Sequence, residues 1–474
     1  MGLANSIRRN SFFSFLSSAI RLLTNVLLFV GVARYYGPEA FGQFTTALTY
    51  ATIFLLFADF GLDVLLTTEI ARQRDRAVEL FGRYLSIKLV FVFVAVAGMW
   101  IIPFVQPMSN STKWLTIIFS FYVAFTALTN FCFALFKGFE QLHFETKISF
   151  VNNIILLAGL FILGYIGVPI YVVALAFVAT RAIGLFNSYR IVAQLLTHQR
   201  LLLNFKSWKE IRGQVFVFGF HLLFGNLFFL LDTVLLSLWK GDHDVGIYQS
   251  ALRLINVVFV IPEVMTSALM PVLSRFHEES QDRWNSIGKL MNKSLIFFGL
   301  PISLIFFVYA EQIIHIVYGT KAFSEAVPIL RIFGLIVLIR FSVETYALML
   351  TTSRRQKTRL TVVFLATMFN FLLNLYAIPH YGISGAVWVS LTTNLFVGIG
   401  YVVATRKIFF KWIFDFRGII PLMVTMILGF VLWNIRMFPL WYVCPFVLLG
   451  YMLIYYFMGF PKEERRLIFT KEFL

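Results

Sequence analysis

The chain has 474 residues, 59% of them hydrophobic and only 13% charged, and a formal net charge of +17. A soluble chain of this length would form about three domains with roughly 25% charged residues, and a water-facing surface cannot be built from so few charges. Disordered, coiled-coil and disulfide-rich secreted classes are excluded on the same grounds, which leaves an all-α polytopic membrane protein.

A spanning helix needs about 20 mostly apolar residues, because the hydrocarbon core is roughly 30 Å thick and each helical residue rises about 1.5 Å. In chain order, about fourteen such stretches are predicted. They lie near 11–34, 42–66, 84–106, 114–136, 148–167, 169–190, 214–239, 246–272, 291–313, 325–351, 358–379, 384–405, 417–434 and 439–459. The opening MGLANSIRRN carries no small-residue cleavage site after a short apolar core, so the first stretch is expected to stay in the protein. Gly2 and Ser6 also fit a myristoylation pattern, but a chain with many spans gains little from one acyl chain.

The positive-inside rule orients the spans. Alternate connections carry clusters such as Arg72, Arg74, Arg76 and Arg83, or Arg354, Arg355, Lys357 and Arg359, and together with the termini they hold about 29 of the 40 cations, against about 5 on the opposite side. Both termini are therefore expected in the cytoplasm, and the overall charge reports orientation rather than an anionic partner. Cys132 and Cys444 fall within apolar stretches and read as inert core residues with no disulfide.

The sequence repeats itself. At a constant offset of 204, Gly37, Gly42, Phe44, Ala47 and Leu48 meet Gly241, Gly246, Tyr248, Ala251 and Leu252, and Asp59 falls against Glu263. At an offset of 215, Gln141 and Gly167 meet Gln356 and Gly382. Each repeat spans six helices, and because six is even both copies enter the membrane from the same side. That makes two parallel six-helix bundles, able to rock about a central cavity as many transporters do. The expected division is 1–190 for the first bundle, 191–213 for an amphipathic cytoplasmic linker, 214–405 for the second bundle and 406–474 for an added C-terminal helix pair and tail.

Ionisable residues inside spans cost several kcal/mol unless paired or hydrated, so each is a candidate functional site. Five Arg (Arg21, Arg181, Arg253, Arg331, Arg340) stand with five acids (Asp59, Asp63, Asp232, Glu263, Glu344). Lys88, about one turn from the cytoplasmic end of its helix, is expected to snorkel. Arg21 and Asp59 both lie roughly 25 Å from the first outer turn at 1.5 Å per residue and can face each other. Asp232 and Arg253 share a depth in the equivalent hairpin, and Arg340 and Glu344 are spaced to pair along one helix. These are salt bridges on one reading and ligand groups on another. A guanidinium fork suits a pyrophosphate, since it matches two phosphate oxygens and keeps its proton. Asp59 and Glu263, one acid per half, are candidates for a coupling cation or proton. Pro262, just before Glu263, would release a backbone carbonyl in mid-helix.

Catalytic signatures are sparse. Asp59-Phe60-Gly61 spells a kinase motif without its Gly-rich loop, and Asp242-His243-Asp244 resembles a glycosyltransferase metal motif but sits in a turn of a few residues. No HExxH, paired CxxC, Walker loop or GxSxG occurs. The external connections run to only about a dozen residues, too short to hold an acceptor domain. No cofactor, metal or nucleic acid is expected.

The first hairpin, from RNSFFSFLSSAIRLLTNVLLFVGVARYYGPEAFGQF to DFGLDVLLTTEIAR, resembles the polysaccharide biosynthesis transporters, the O-antigen flippases of the multidrug/oligosaccharidyl-lipid/polysaccharide exporter superfamily. The second half agrees through DVGIYQSALRL and HYGISGAVWVSL, and the added spans are similar to those of fourteen-helix lipid II flippases in the same superfamily. The resemblance covers about residues 5–405. It implies a V-shaped pair of bundles that moves an undecaprenyl-pyrophosphate-linked glycan between leaflets of the bacterial plasma membrane, driven by a proton or sodium ion or by the membrane potential. It also implies a cationic central cavity, in which Arg21, and less directly Arg253 and Arg181, would hold the pyrophosphate. A monomer is expected, with membrane lipids around it. The rivals are a multidrug/cation antiporter of the same superfamily and a membrane glycan polymerase or ligase.

Overall fold

The computed structural model describes residues 3–196, 208–319, 321–409, 419–434 and 436–459, and all regular structure among them is helical. The middle of the predicted linker (197–207), the C-terminal tail and the side chains of Arg21 and Cys444 lie outside the described residues.

The first two predicted spans form one uninterrupted helical stretch, α1 (Leu3–Asp59), whose 57 residues would reach roughly 85 Å if straight. It doubles back instead at Gly37, whose φ of 76° is open to glycine and costly for other residues. The rings of Phe29 and Phe41 meet edge to face at 6.3 Å across that turn. After a second break at Phe60–Gly61 the chain continues as α2 (Leu62–Arg72). Then follow α3 (Ala77–Val105), α4 (Asn110–Gly138), α5 (Leu142–Ile166), α6 (Ile170–Leu195) and α7 (Trp208–Trp239). The predicted span 246–272 is two helices, α8 (Asp242–Val258) and α9 (Val260–Glu279). They part at Phe259 because Pro262 has no N–H to give the carbonyl of Val258. Next come α10 (Gln281–Val308), α11 (Ala310–Tyr318) and α12 (Ala326–Thr352). The pair predicted at 358–379 and 384–405 is again one stretch, α13 (Gln356–Thr405), reversed at Gly382, with Asn370 and Thr393 3.5 Å apart across the hairpin. The chain ends in α14 (Ile419–Asn434) and α15 (Leu440–Gly459).

Among the described residues, nine helical stretches are long and apolar enough to cross a membrane, and two of these, Leu22–Arg72 and Gln356–Thr405, hold doubled-back pairs. The polar inventory suits hydrocarbon. Thr45, Thr49, Ser86 and Thr393 donate their hydroxyls to carbonyls one turn back, so the helices themselves satisfy these groups. Glycines open the tightest helix crossings: Gly98 lies against Phe54, Gly184 against Asn152 and Gly299 against Phe341. Phe93, Phe104, Tyr165 and Phe186 face outward, as on a surface solvated by lipid.

The chain folds as two compact units, Met1–Gln249 and Ser250–Leu474, divided within α8. The added helices belong to the second unit. Leu300, Tyr451 and Tyr455 form one buried cluster, and Val308, Tyr309 and Leu432 another. Gln312 of α11 closes the turn between α14 and α15, donating to the carbonyls of Arg436 and Phe438 and accepting from the N–H of Leu440.

Four of the glycines aligned by the repeat have positive φ. Gly37 and Gly241 have φ of 76° and 89°, and Gly167 and Gly382 have 77° and 59°. Gly42 and Gly246 go further, because they face each other. A Cβ on Gly42 would stand 1.7 Å from the carbonyl oxygen of Asp242, and one on Gly246 2.0 Å from that of Pro38. Residues 38 and 42 are the repeat partners of 242 and 246, so the first unit brings these two turns together across a local two-fold axis.

Candidate functional site

The break between α1 and α2 creates the site. Phe60 (φ 41°) and Gly61 (φ 85°) leave the helical region, and Asp59 Oδ1 accepts the backbone N–H of Asp63 at 3.1 Å, across the start of the new helix. Asp63 stands in the first turn of α2, where a carboxylate suits the helix dipole. The two acids are one turn apart and converge on Lys88 of α3, whose Nζ lies 3.1 Å from Asp59 Oδ1 and 2.8 Å from Asp63 Oδ1. Lys88 is 0% exposed and sits 5.8 Å from the ring centre of Phe131.

This corrects one expectation. Lys88 does not snorkel, because a pair of carboxylates within reach outcompetes the interface. Asp59 pairs with Lys88, and the side chain of Arg21, matched to it by depth, lies outside the described residues. Sequence reasoning found both acids and missed that a lysine eleven residues into α3 would meet them, since that depends on the helix break turning Asp63 toward α3.

The cluster holds two carboxylates and one ammonium. Asp63 also lines a cavity of about 420 Å³ together with Thr67, Thr68, Asn130, Lys137 and Glu145. Lys137 is 45% exposed and pairs with the buried Glu145 at 3.3 Å. The cavity therefore opens at the end of the unit that carries Arg72, Arg74 and Lys137, hereafter the basic end.

The remaining candidates are dispersed. Arg181 of α6 lies 5.5 Å from the rings of both Tyr122 and Phe177, and its Nε has no hydrogen-bond partner among the described residues. Arg253, in the second unit, is half-buried near Tyr318, whose hydroxyl donates to the carbonyl of Ser250 at 2.7 Å. Asp232, predicted at the depth of Arg253, accepts the hydroxyl of Tyr248 at 2.7 Å. Glu263 is exposed on α9, just after the break at Phe259. Arg340 lies over Phe259 and Arg331 over Trp433. Lys293 is buried in α10. The Asp242 motif has a local role: its carboxylate accepts from Ser109 Oγ at 2.6 Å and Thr112 Oγ1 at 2.8 Å, at the start of α4.

A helical bundle with apolar spans and a buried ion cluster beside a cavity is that of a multi-pass membrane protein. The comparisons place it more closely. Residues 7–277 match the polysaccharide biosynthesis protein family, and the chain belongs to that family. Residues 218–376 also match the MatE family. The chain is 20% identical over 372 residues to a putative O-antigen transporter of Escherichia coli, covering 76% of this chain and 87% of that protein. It is 26% identical over 187 residues to the probable flippase AglR of Haloferax volcanii, covering 38% of this chain and 37% of AglR. Its fold is similar to that of lipid II flippase MurJ in an inward closed conformation, with a TM-score of 0.76, 15% identity, and coverage of 97% of this chain and 99% of that one.

Proposed function

We propose that the protein flips an undecaprenyl-pyrophosphate-linked oligosaccharide across the bacterial plasma membrane for surface polysaccharide assembly, working as a monomer with both termini in the cytoplasm. The observation that carries this is the family match over 7–277, supported by relatives named as a flippase and an O-antigen transporter. The intramembrane arginines supply the chemistry. Arg181 is the best placed of the described ones, because aromatic faces hold its guanidinium while its Nε donor stays unpartnered. A diphosphate could take that donor and the fork beside it. Arg21 and Arg253 are the further proposed contacts, and Asp59 and Glu263 the proposed acids for a coupling proton or sodium ion.

The MatE match favours one rival, an antiporter of organic cations. Such a substrate wants acids and aromatics rather than a run of guanidinium groups. Deleting the gene and analysing lipid-linked glycans separates the two. The flippase account expects the undecaprenyl-linked unit to accumulate in the cytoplasmic leaflet while surface polysaccharide is lost. An unchanged pool with altered drug tolerance would favour the antiporter.

A further inference from the structure

Resting on the transport reading above, we propose that Asp63 is a proton-binding site, loaded from the basic end through the cavity it lines and linked by the Phe60–Gly61 break to α7. Charge comes first. Among the described residues, two carboxylates and one ammonium sum to a fixed negative charge where Lys88 is fully enclosed, and an unbalanced buried charge costs several kcal/mol. One proton brings the cluster to neutrality. A sodium ion fits poorly, since an ammonium already stands 2.8 Å from the same carboxylate and has no lone pair to offer a metal.

Access singles out Asp63. Its side chain is 17% exposed and lines the cavity, whereas Lys88 is sealed. Asp59 Oδ1 is occupied by both the Asp63 N–H and Lys88. In the loading step a hydronium ion in the cavity gives its proton to a carboxylate oxygen of Asp63 and leaves as water. Among the described residues, the other titratable groups facing the cluster are Asp59 on α1, Lys88 on α3, the buried thiol of Cys132 and the Lys137 ammonium on α4, and Glu145 on α5.

Loading replaces the ion pair that ties α2 to α3 with a weaker hydrogen bond. The hinge residue at the start of α2, Phe60, touches α7. The Phe60 ring lies 5.8 Å from both Phe91 and Phe216, and a Cβ on Gly219 of α7 would stand 2.2 Å from that ring. A shift of α2 is therefore felt by α7 inside the first unit.

Infrared difference spectroscopy of the full chain in lipid, titrated from neutral to acidic pH, reads the carboxylic-acid carbonyl band directly. The wild type should show a band that is absent in Asp63→Asn. In Asp59→Asn the cluster is already neutral with Asp63 ionised, so the band should appear only at lower pH, with proton affinity reduced about tenfold or more. Glu145→Gln should leave the titration in place. A band that persists in Asp63→Asn, or one unmoved by Asp59→Asn, overturns the proposal, as does a band suppressed by sodium at constant pH. In vesicles carrying a lipid-linked glycan, Asp63→Asn should also abolish any acceleration by a pH gradient. If the band behaves as expected but the wild type moves no glycan, the transport reading falls and the proton site stands. If glycan moves but the band does not follow Asp63, the reverse holds.

Discussion

Replacing Lys88 with methionine isolates the energetics of the buried cluster. The side chain is close in volume, so packing is nearly conserved while the ammonium is lost. At an effective dielectric constant of about 20, each ion pair, at 2.8 Å and 3.1 Å, contributes roughly 5–6 kcal/mol of attraction. Desolvation of the ions takes back several kcal/mol each, so the cluster as a whole contributes little net stability. Removing one partner alone is different, because two carboxylates are then left facing each other without a counter-charge. Lys88→Met should cost about 3–5 kcal/mol. The triple variant Lys88→Met/Asp59→Asn/Asp63→Asn, with no charge to compensate, should return to within about 1–2 kcal/mol of wild type. Equilibrium unfolding in mixed micelles, followed by tryptophan fluorescence, measures the series. If Lys88→Met alone is as stable as wild type, the carboxylates are hydrated or already neutral, and the buried-cluster reasoning fails.

Two further substitutions probe separate parts of the account. Gly42→Ala or Gly246→Ala must push apart two backbones that now touch, and each should cost about 1–3 kcal/mol in the same unfolding assay. Gly159→Ala, with nothing within 4 Å of the added methyl, should be near neutral. Because the two close-packed glycines share one contact, the double variant should cost less than the sum of the singles. Arg181→Lys keeps the charge but loses the planar fork and the stacking against Tyr122 and Phe177, so translocation should fall about tenfold or more, nearly as far as in Arg181→Ala. Full activity in Arg181→Lys would show that charge alone suffices there.

Much of the fold was legible because a membrane imposes length and polarity on each helix separately. The predicted spans fall on the observed helices, and Pro262 marked a break that the structure places at Phe259. The repeat was legible through glycines, since a left-handed turn restricts residue choice at Gly37, Gly167, Gly241 and Gly382. Less visible was how little chain these turns need, so that two predicted pairs run on as α1 and α13, reversed at single glycines. The candidate site was legible only in part. Asp59 and Asp63 stood out as acids in an apolar stretch, but their partner did not, because the Lys88 contact depends on the local geometry of Phe60–Gly61 and on the packing of α3. Depth arithmetic can say that two charges share a level in the membrane. It cannot say which way their helices are turned, so it did not give Lys88 as a partner of Asp59 or Tyr248 as a donor to Asp232.

The most direct measurement of the central claim is leaflet transfer by the purified protein. Vesicles are prepared with a fluorescent undecaprenyl-pyrophosphate-linked glycan in both leaflets, and a glycan-cleaving enzyme that cannot cross the bilayer is added outside. A flippase predicts that cleavage proceeds beyond the outer-leaflet pool toward completion, more slowly in Arg181→Lys vesicles. Cleavage that stops at the outer-leaflet pool, as in protein-free vesicles, would contradict the account.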